Sequence, residues 1–304
     1  PGNRKQRDIL KFEGGYHGMS AEAQMSLAPE RQVNFPVAVA DSAGIPESVR
    51  NDMLVAPYND IDFAHSIMEE MSGKIAAVIV EPFQRVIPPE PGFLKALREA
   101  CDEHGSVLIF DEVVTGFRFS YGGAQSVYGV TPDVCTLGKI IGGGFPVGAV
   151  AGSTAIMSVF DHRLGEKVHH GGTYNGNPVT MAAGYETMRL MTQDEYTRLA
   201  ELGDTLRASL SEMLKQRGVQ HQVNGRGSMF SLLLSARRPV DFRELIECRE
   251  SGPELTGLDR EMLSRGVLLG SRGLFGVLST PMGEAELDQF VDALDQSLRA
   301  LGVY

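Results

Sequence analysis

The sequence has few cysteines and no long apolar segment. Three cysteines among 304 residues are a sparse, odd-numbered set that implies no disulfide framework. We therefore expect a reducing, cytoplasmic location. No apolar run approaches the roughly 20 residues that a membrane helix needs, so no membrane association is expected.

Basic residues are also scarce relative to acidic ones. Lysine and arginine together number 28 against 39 aspartates and glutamates, which gives a net charge of −11. This balance argues against nucleic-acid partners and anionic membrane surfaces. The seven histidines lack metal-ligand spacings such as H-E-x-x-H, and the neighbours His169 and His170 are typical of a loop. The sequence thus predicts no metal site.

Two continuous apolar runs predict strands buried on both faces of a sheet. They span residues 75–80 and 107–110, and each ends in an acidic residue, Glu81 or Asp111. Between them, apolar residues recur at helical spacing from Phe93 to Cys101. Strands that alternate with helices predict an α/β fold with a mostly parallel central sheet and helices on both faces.

The pattern changes in the C-terminal third. An amphipathic helix is predicted over 195–217, and we then expect short strands at 219–223, 229–234 and 275–280 and helices at 253–265 and 284–301. The sequence therefore predicts a large domain over 1–192 and a small C-terminal α/β domain over 193–304.

An aspartate and a lysine suggest a chemistry for this fold. Asp111 ends a predicted strand, where open α/β sheets bind ligands. Lys139 follows 28 residues later (139 − 111), among glycines that allow close approach of a ring. Alone, each residue more often belongs to a solvated loop. Together they are typical of pyridoxal phosphate (PLP) enzymes, in which an amine holds the aldehyde and a carboxylate keeps the pyridine nitrogen protonated.

Residues 108–183 resemble the class III, fold type I PLP aminotransferases, most closely the branch of glutamate-1-semialdehyde aminomutase. The resemblance is carried by segments 110–118, 121–125, 136–144, 146–148, 172–173 and 176–178. It implies the PLP-dependent transferase fold, PLP as cofactor and a homodimer. The family's N-terminal phosphate-binding loop is expected to lie outside these 304 residues.

The resemblance also implies roles for individual residues. Lys139 would form the internal aldimine and move the proton, and Asp111 would pair with the pyridinium. Val113 would pack on one face of the ring, and Tyr16 would stack on the other with His17 beside it.

Three further residues are expected at the cofactor by the same resemblance. Glu81 is one of them. Gly172 and Thr173 are the others, and Thr173 would reach the phosphate bound by the neighbouring subunit, which is the reason to expect a homodimer.

The sequence departs from the aminomutase pattern in three places. Residues 83–86 replace a Val-Val-Gly-Asn segment, Val114 stands where many class III transaminases carry glutamine, and 270–275 lacks the expected glutamate. Two arginines near these departures, Arg85 and Arg272, could bind a substrate carboxylate through bidentate hydrogen bonds. An arginine in such a place is more often solvated or paired in a salt bridge.

The predicted function is transfer of an amino group between a small-molecule amino donor and an oxo acid or aldehyde, through a lysine aldimine and pyridoxamine phosphate. One alternative is the aminomutase reaction, with the same intermediates on a single substrate. A remote alternative is a catalytically silent PLP-fold module that acts only in assembly.

Overall fold

A computed structural model describes residues 7–165, 168–270 and 274–304. The chain forms two compact units. The first consists of residues 1–85 and 89–191, and the second of residues 86–88 and 192–304.

The first unit is built on a six-stranded sheet in the order β2-β1-β3-β4-β5-β6. The first five strands in this order run parallel, and β6 is antiparallel to β5. The strands are β1 Asp8–Phe12, β2 Met53–Ala56, β3 Ile75–Val80, β4 Val107–Asp111, β5 Val134–Gly138 and β6 Gly148–Gly152. The predicted mostly parallel sheet is confirmed, and the two apolar runs are its central strands β3 and β4.

Six α-helices belong to the first unit among its described residues. They are α1 Glu47–Asn51, α2 Ile61–Glu70, α3 Phe93–His104, α4 Gly123–Tyr128, α5 Thr154–Met157 and α6 Pro178–Leu190. Helix α6 begins where the sequence predicts, because the Asn177 side chain accepts hydrogen bonds from the Val179 and Thr180 amides, with Pro178 in the first turn. Leu10, Val78 and Leu108 are wholly buried between sheet and helices.

The second unit contains a three-stranded antiparallel sheet, β7 Gln222–Asn224, β8 Met229–Leu233 and β9 Phe275–Val277. Its helices are α7 Gln193–Gln216, α8 Phe242–Glu250, α9 Leu258–Ser264 and α10 Glu284–Ala300. The predicted amphipathic helix is α7, which buries Leu199, Leu206, Leu210 and Leu214. Helix α8 is absent from the predictions, and α9 is shorter than predicted because Gly257, with φ +88°, precedes its first turn. No helix in the described ranges is both long enough and apolar enough to cross a membrane.

Candidate active site

The predicted site residues follow the carboxyl ends of four adjacent parallel strands. Tyr16 and His17 come shortly after β1, and Glu81 follows β3 directly. Asp111 is the last residue of β4, and Lys139 comes immediately after β5. Since the strands are parallel, these ends meet at one edge of the sheet, which is the edge where α/β folds bind ligands.

Three donors hold the carboxylate of Asp111 in place. The Thr136 hydroxyl donates to Oδ1 at 3.0 Å, and the Val113 amide donates to the same oxygen at 3.2 Å. The His17 Nδ1–H donates to Oδ2 at 2.8 Å. Burial alone would raise the pKa of Asp111, but these hydrogen bonds and the interaction with His17 lower it below its ordinary value. The carboxylate is therefore negatively charged at neutral pH.

His17 serves Asp111 as a neutral donor. Burial lowers the pKa of its imidazole, although the hydrogen bond with Asp111 opposes that shift. Because the Asp111 carboxylate can only accept, the proton of the neutral ring lies on Nδ1. Nε2 of the same ring is buried and makes no hydrogen bond within the described structure.

Glu81 anchors the chain segment that carries Tyr16. Its Oε2 accepts a hydrogen bond from the Tyr16 amide at 3.2 Å. Burial, followed by the negative charge of Asp111, raises the pKa of the Glu81 carboxyl to about 8. Glu81 is thus mostly protonated and uncharged at neutral pH, whereas Asp111 carries the negative charge.

The raised pKa of Glu81 predicts a pH-dependent stability. Because its pKa is about 8 when folded and near 4.5 when unfolded, the unfolding free energy should fall as pH rises between these values. The decline from this group is at most about 1.4 kcal/mol per pH unit. Glu81→Gln should flatten it, measured by urea unfolding from pH 5.5 to 8.5. An unchanged slope in Glu81→Gln, equal to that of the exposed-site control Glu70→Gln, would contradict the assignment.

Lys139 opens a one-turn 3₁₀ helix, Lys139–Gly142, in a strained conformation. Its φ of +50° lies in the left-handed region, where a non-glycine residue is held only by its surroundings. Helix α6 supplies that support. A Cβ at Gly184 would lie 2.1 Å from the Ile141 carbonyl oxygen, and one at Gly143 would lie 2.5 Å from the Ala183 carbonyl oxygen. Only glycines permit this backbone approach, which fixes the lysine turn against α6.

Val113 lies beside the start of this turn. A Cβ at Gly138 would meet Val113 Cγ1 at 3.3 Å, so the valine side chain packs on the backbone just before Lys139. Val113 and Lys139 thus belong to the same edge of the sheet as Asp111.

The other predicted site residues are Tyr16, Gly172, Thr173, Arg85 and Arg272. Tyr16 is 41% exposed. Gly172 and Thr173 lie in an exposed loop before α6. Arg85 donates from Nη2 to the Leu27 carbonyl at 3.3 Å. Arg272 falls outside the described residues.

Two residues that contact the elements of the site are not among those predicted from the sequence. Thr136 lies opposite Asp111 in the β4–β5 register, so its hydroxyl could have been inferred only once the register was known. Lys11 lies within β1 and is wholly buried. The sequence indicates this burial only through the presence of a lysine in a strand whose other residues are mostly apolar.

The residues present fit the cofactor that the Asp111–Lys139 pairing implies. Oδ1 of Asp111 already accepts two hydrogen bonds, whereas Oδ2 accepts one and retains a lone pair for a ring N–H. The side chain of Lys139 is exposed at the same edge. A protonated ring nitrogen and an aldehyde are the two groups of PLP that these side chains would bind.

Comparison with known proteins defines the family. Residues 2–296 match the model of the class-III aminotransferases, so the chain belongs to this PLP-dependent family. A curated relative, glutamate-1-semialdehyde 2,1-aminomutase 2 of Lysinibacillus sphaericus, is 43% identical over 237 residues. That match covers 77% of this chain and 54% of the relative, so the chain spans about half the length of the relative.

Solved structures confirm the predicted fold. An omega-transaminase from Sphaerobacter thermophilus superposes with a TM-score of 0.89 at 43% identity, over 98% of this chain and 69% of that one. A beta-phenylalanine aminotransferase from Variovorax paradoxus superposes with a TM-score of 0.81 at 33% identity, over 98% of this chain and 65% of that one. The chain is thus similar to both transaminases and aminomutases.

Proposed function

We propose that the protein is a PLP-dependent aminotransferase that moves an amino group between a small-molecule donor and an oxo acid or aldehyde. The observation that supports this most directly is the pairing of Asp111 with Lys139 at the ends of neighbouring strands β4 and β5. When bound, PLP supplies an electron sink that makes the substrate C–H bond acidic.

Each residue of the site would have its own role. Asp111, held ionised by His17, would keep a proton on the ring nitrogen of the cofactor. Lys139 would hold the cofactor through its amine and then accept the substrate proton at Nζ. Val113 and Tyr16 would face the two sides of the ring and exclude water from it.

We also propose that the active form is a homodimer. Many large apolar side chains between residues 121 and 190 are exposed in the isolated chain, and such a surface usually marks an interaction site. They are Tyr121, Phe145, Val150, Leu164, Val168, Tyr174, Val179, Met181, Tyr185 and Leu190. Gly172 and Thr173 lie in the same stretch, which agrees with the family resemblance that implies contact of Thr173 with the phosphate bound by the partner subunit. Light scattering that finds a fully active monomer would rule this out.

For the substrate, we propose a carboxylate-bearing compound with an apolar or aromatic part. Val86 stands where the aminomutase pattern has asparagine, Phe83 enlarges an apolar position, and Arg85 adds a cation. The name of the Variovorax relative, a beta-phenylalanine aminotransferase, agrees with such a substrate. Arg85 and Arg272 are the candidates to bind the carboxylate. The aminomutase reaction is the second candidate function, because curated relatives carry that name.

An absorbance experiment tests the function directly. The purified protein with PLP is mixed with single amino donors and no acceptor, and the cofactor spectrum and the oxo product are followed. Conversion to the pyridoxamine form with a matching oxo product supports an aminotransferase. Turnover of glutamate-1-semialdehyde without any acceptor, faster than all donors, would favour the aminomutase. A spectrum that no donor changes would support the silent module.

A further inference from the structure

A lysine is wholly buried in the strand that leads to the site. Lys11 lies in β1 with no exposed surface. Its Nζ lies 3.1 Å from the Gly15 carbonyl oxygen, 3.1 Å from that of Ala23 and 2.5 Å from that of Met25. An ammonium group has three N–H donors, and three carbonyls take all of them. Burial lowers the pKa of Lys11 to about 8, so the amine is still mostly protonated at neutral pH.

The three carbonyls belong to one loop. Residues 14–25 follow β1 and contain no helix or paired strand apart from a single bridge between Met25 and Ala40. Lys11 binds this loop at its start, through Gly15, and at its end, through Ala23 and Met25. The loop therefore closes around the ammonium group, and a backbone hydrogen bond from the Gly14 amide to the Ser26 carbonyl at 2.9 Å joins its two ends as well.

The same loop carries two contacts to the site. Tyr16, directly after Gly15, donates its amide to Glu81, and His17 donates its ring N–H to Asp111. The position of His17 therefore depends on a loop whose two ends Lys11 helps to hold together. An apolar side chain at position 11 would leave three carbonyls without this donor, and the loop would have to move to hydrate them.

We propose that Lys11 is a positioning residue for the cofactor site. It acts through the 14–25 loop, which sets His17 against Asp111 and Tyr16 over the ring. This proposal rests on the proposed PLP-dependent function. It assigns Lys11 no contact with the cofactor or the substrate, in contrast to Lys139.

The first test compares Lys11→Met with Lys95→Met, a substitution of a lysine whose side chain is 77% exposed on α3. Hydrogen exchange without PLP should show amides 14–26 exchanging at least about tenfold faster in Lys11→Met, while strands β3 and β4 keep their protection. The Kd for PLP, from absorbance titration, should rise at least about tenfold. Lys95→Met should match the wild type in both measurements.

The outcomes separate the possible explanations. Unchanged exchange of 14–26, or PLP affinity equal to wild type in a folded Lys11→Met, would overturn the proposal. If Lys11→Met does not fold, Lys11→Gln decides, because it keeps two donors. In that variant faster exchange of amides 14–26 with weaker PLP binding supports the proposal, and faster exchange of these amides with wild-type PLP binding overturns it. A wild-type protein that binds no PLP would contradict the proposed function instead, and the exchange result without PLP would still report on the loop.

Discussion

Lys139→Ala should lower kcat by about 10⁴-fold or more, because one change removes both the amine that holds the cofactor and the group that carries the substrate proton. The folded protein should persist, since the Lys139 side chain is exposed and alanine fills no extra space. Single-turnover absorbance with an amino donor would measure the loss. Lys74→Ala is the matched control, because Lys74 is also an exposed lysine next to a glycine.

The covalent attachment can be checked in the wild-type protein. Borohydride reduction of the PLP complex, followed by peptide mapping, should leave a pyridoxyl group on Lys139. An adduct on Lys11 or Lys74 instead, or a Lys139→Ala variant with normal turnover, would disprove the assignment. Lys11 is a stringent comparison because it is also near the site, yet its amine is occupied by three carbonyls.

Asp111→Asn should lower kcat by about 10²- to 10³-fold, the range seen when one preorganised electrostatic group is removed from a site. Asparagine keeps the size of the side chain and can still accept from His17 and Thr136, but it has no charge to stabilise a protonated ring nitrogen. PLP should still bind, through Lys139. The single-turnover rate constant reports on the chemistry, and the Kd for PLP reports on binding. Measured together, they separate loss of chemistry from loss of binding.

Asp102→Asn provides the control for this change, because Asp102 is an exposed carboxylate on α3. It should leave kcat and PLP binding unchanged. Near wild-type turnover in Asp111→Asn would mean that the carboxylate only supports the structure. A complete loss of PLP binding would mean that its role is in holding the cofactor rather than in the chemistry.

The sequence predicts the parts of this molecule that depend on local patterns. The apolar runs specify central strands because only residues buried on both faces lack polar alternation, and the positions of Asp111 and Lys139 then follow from the ends of strands. Asn177 and Pro178 specify the start of α6 for equally local reasons. These features depend on residues adjacent in the chain.

The features that were missed depend on partners far apart in sequence. The His17–Asp111 hydrogen bond joins residues 94 positions apart, and no local pattern encodes it. The loop around Lys11 forms neither a helix nor a strand, so its sequence has no helical or alternating pattern of apolar residues. Contacts with the Lys11 ammonium group help to order it instead. Helix α8 is charged and short, so its apolar spacing is weak, and the Asp241 cap is its clearest signal. The roles of Arg85 and Arg272 in substrate binding remain predictions.

The close approach of α6 to the lysine turn has a consequence for directed evolution of substrate scope. Since Gly143 and Gly184 bring backbone against backbone, no flexible side chain lies between them to absorb an enlarged residue. Libraries that randomise either position should yield almost only glycine among active clones. The exposed positions of the same helix, such as Tyr185, meet no such backbone contact within the subunit, but they belong to the surface that we propose pairs with a second subunit.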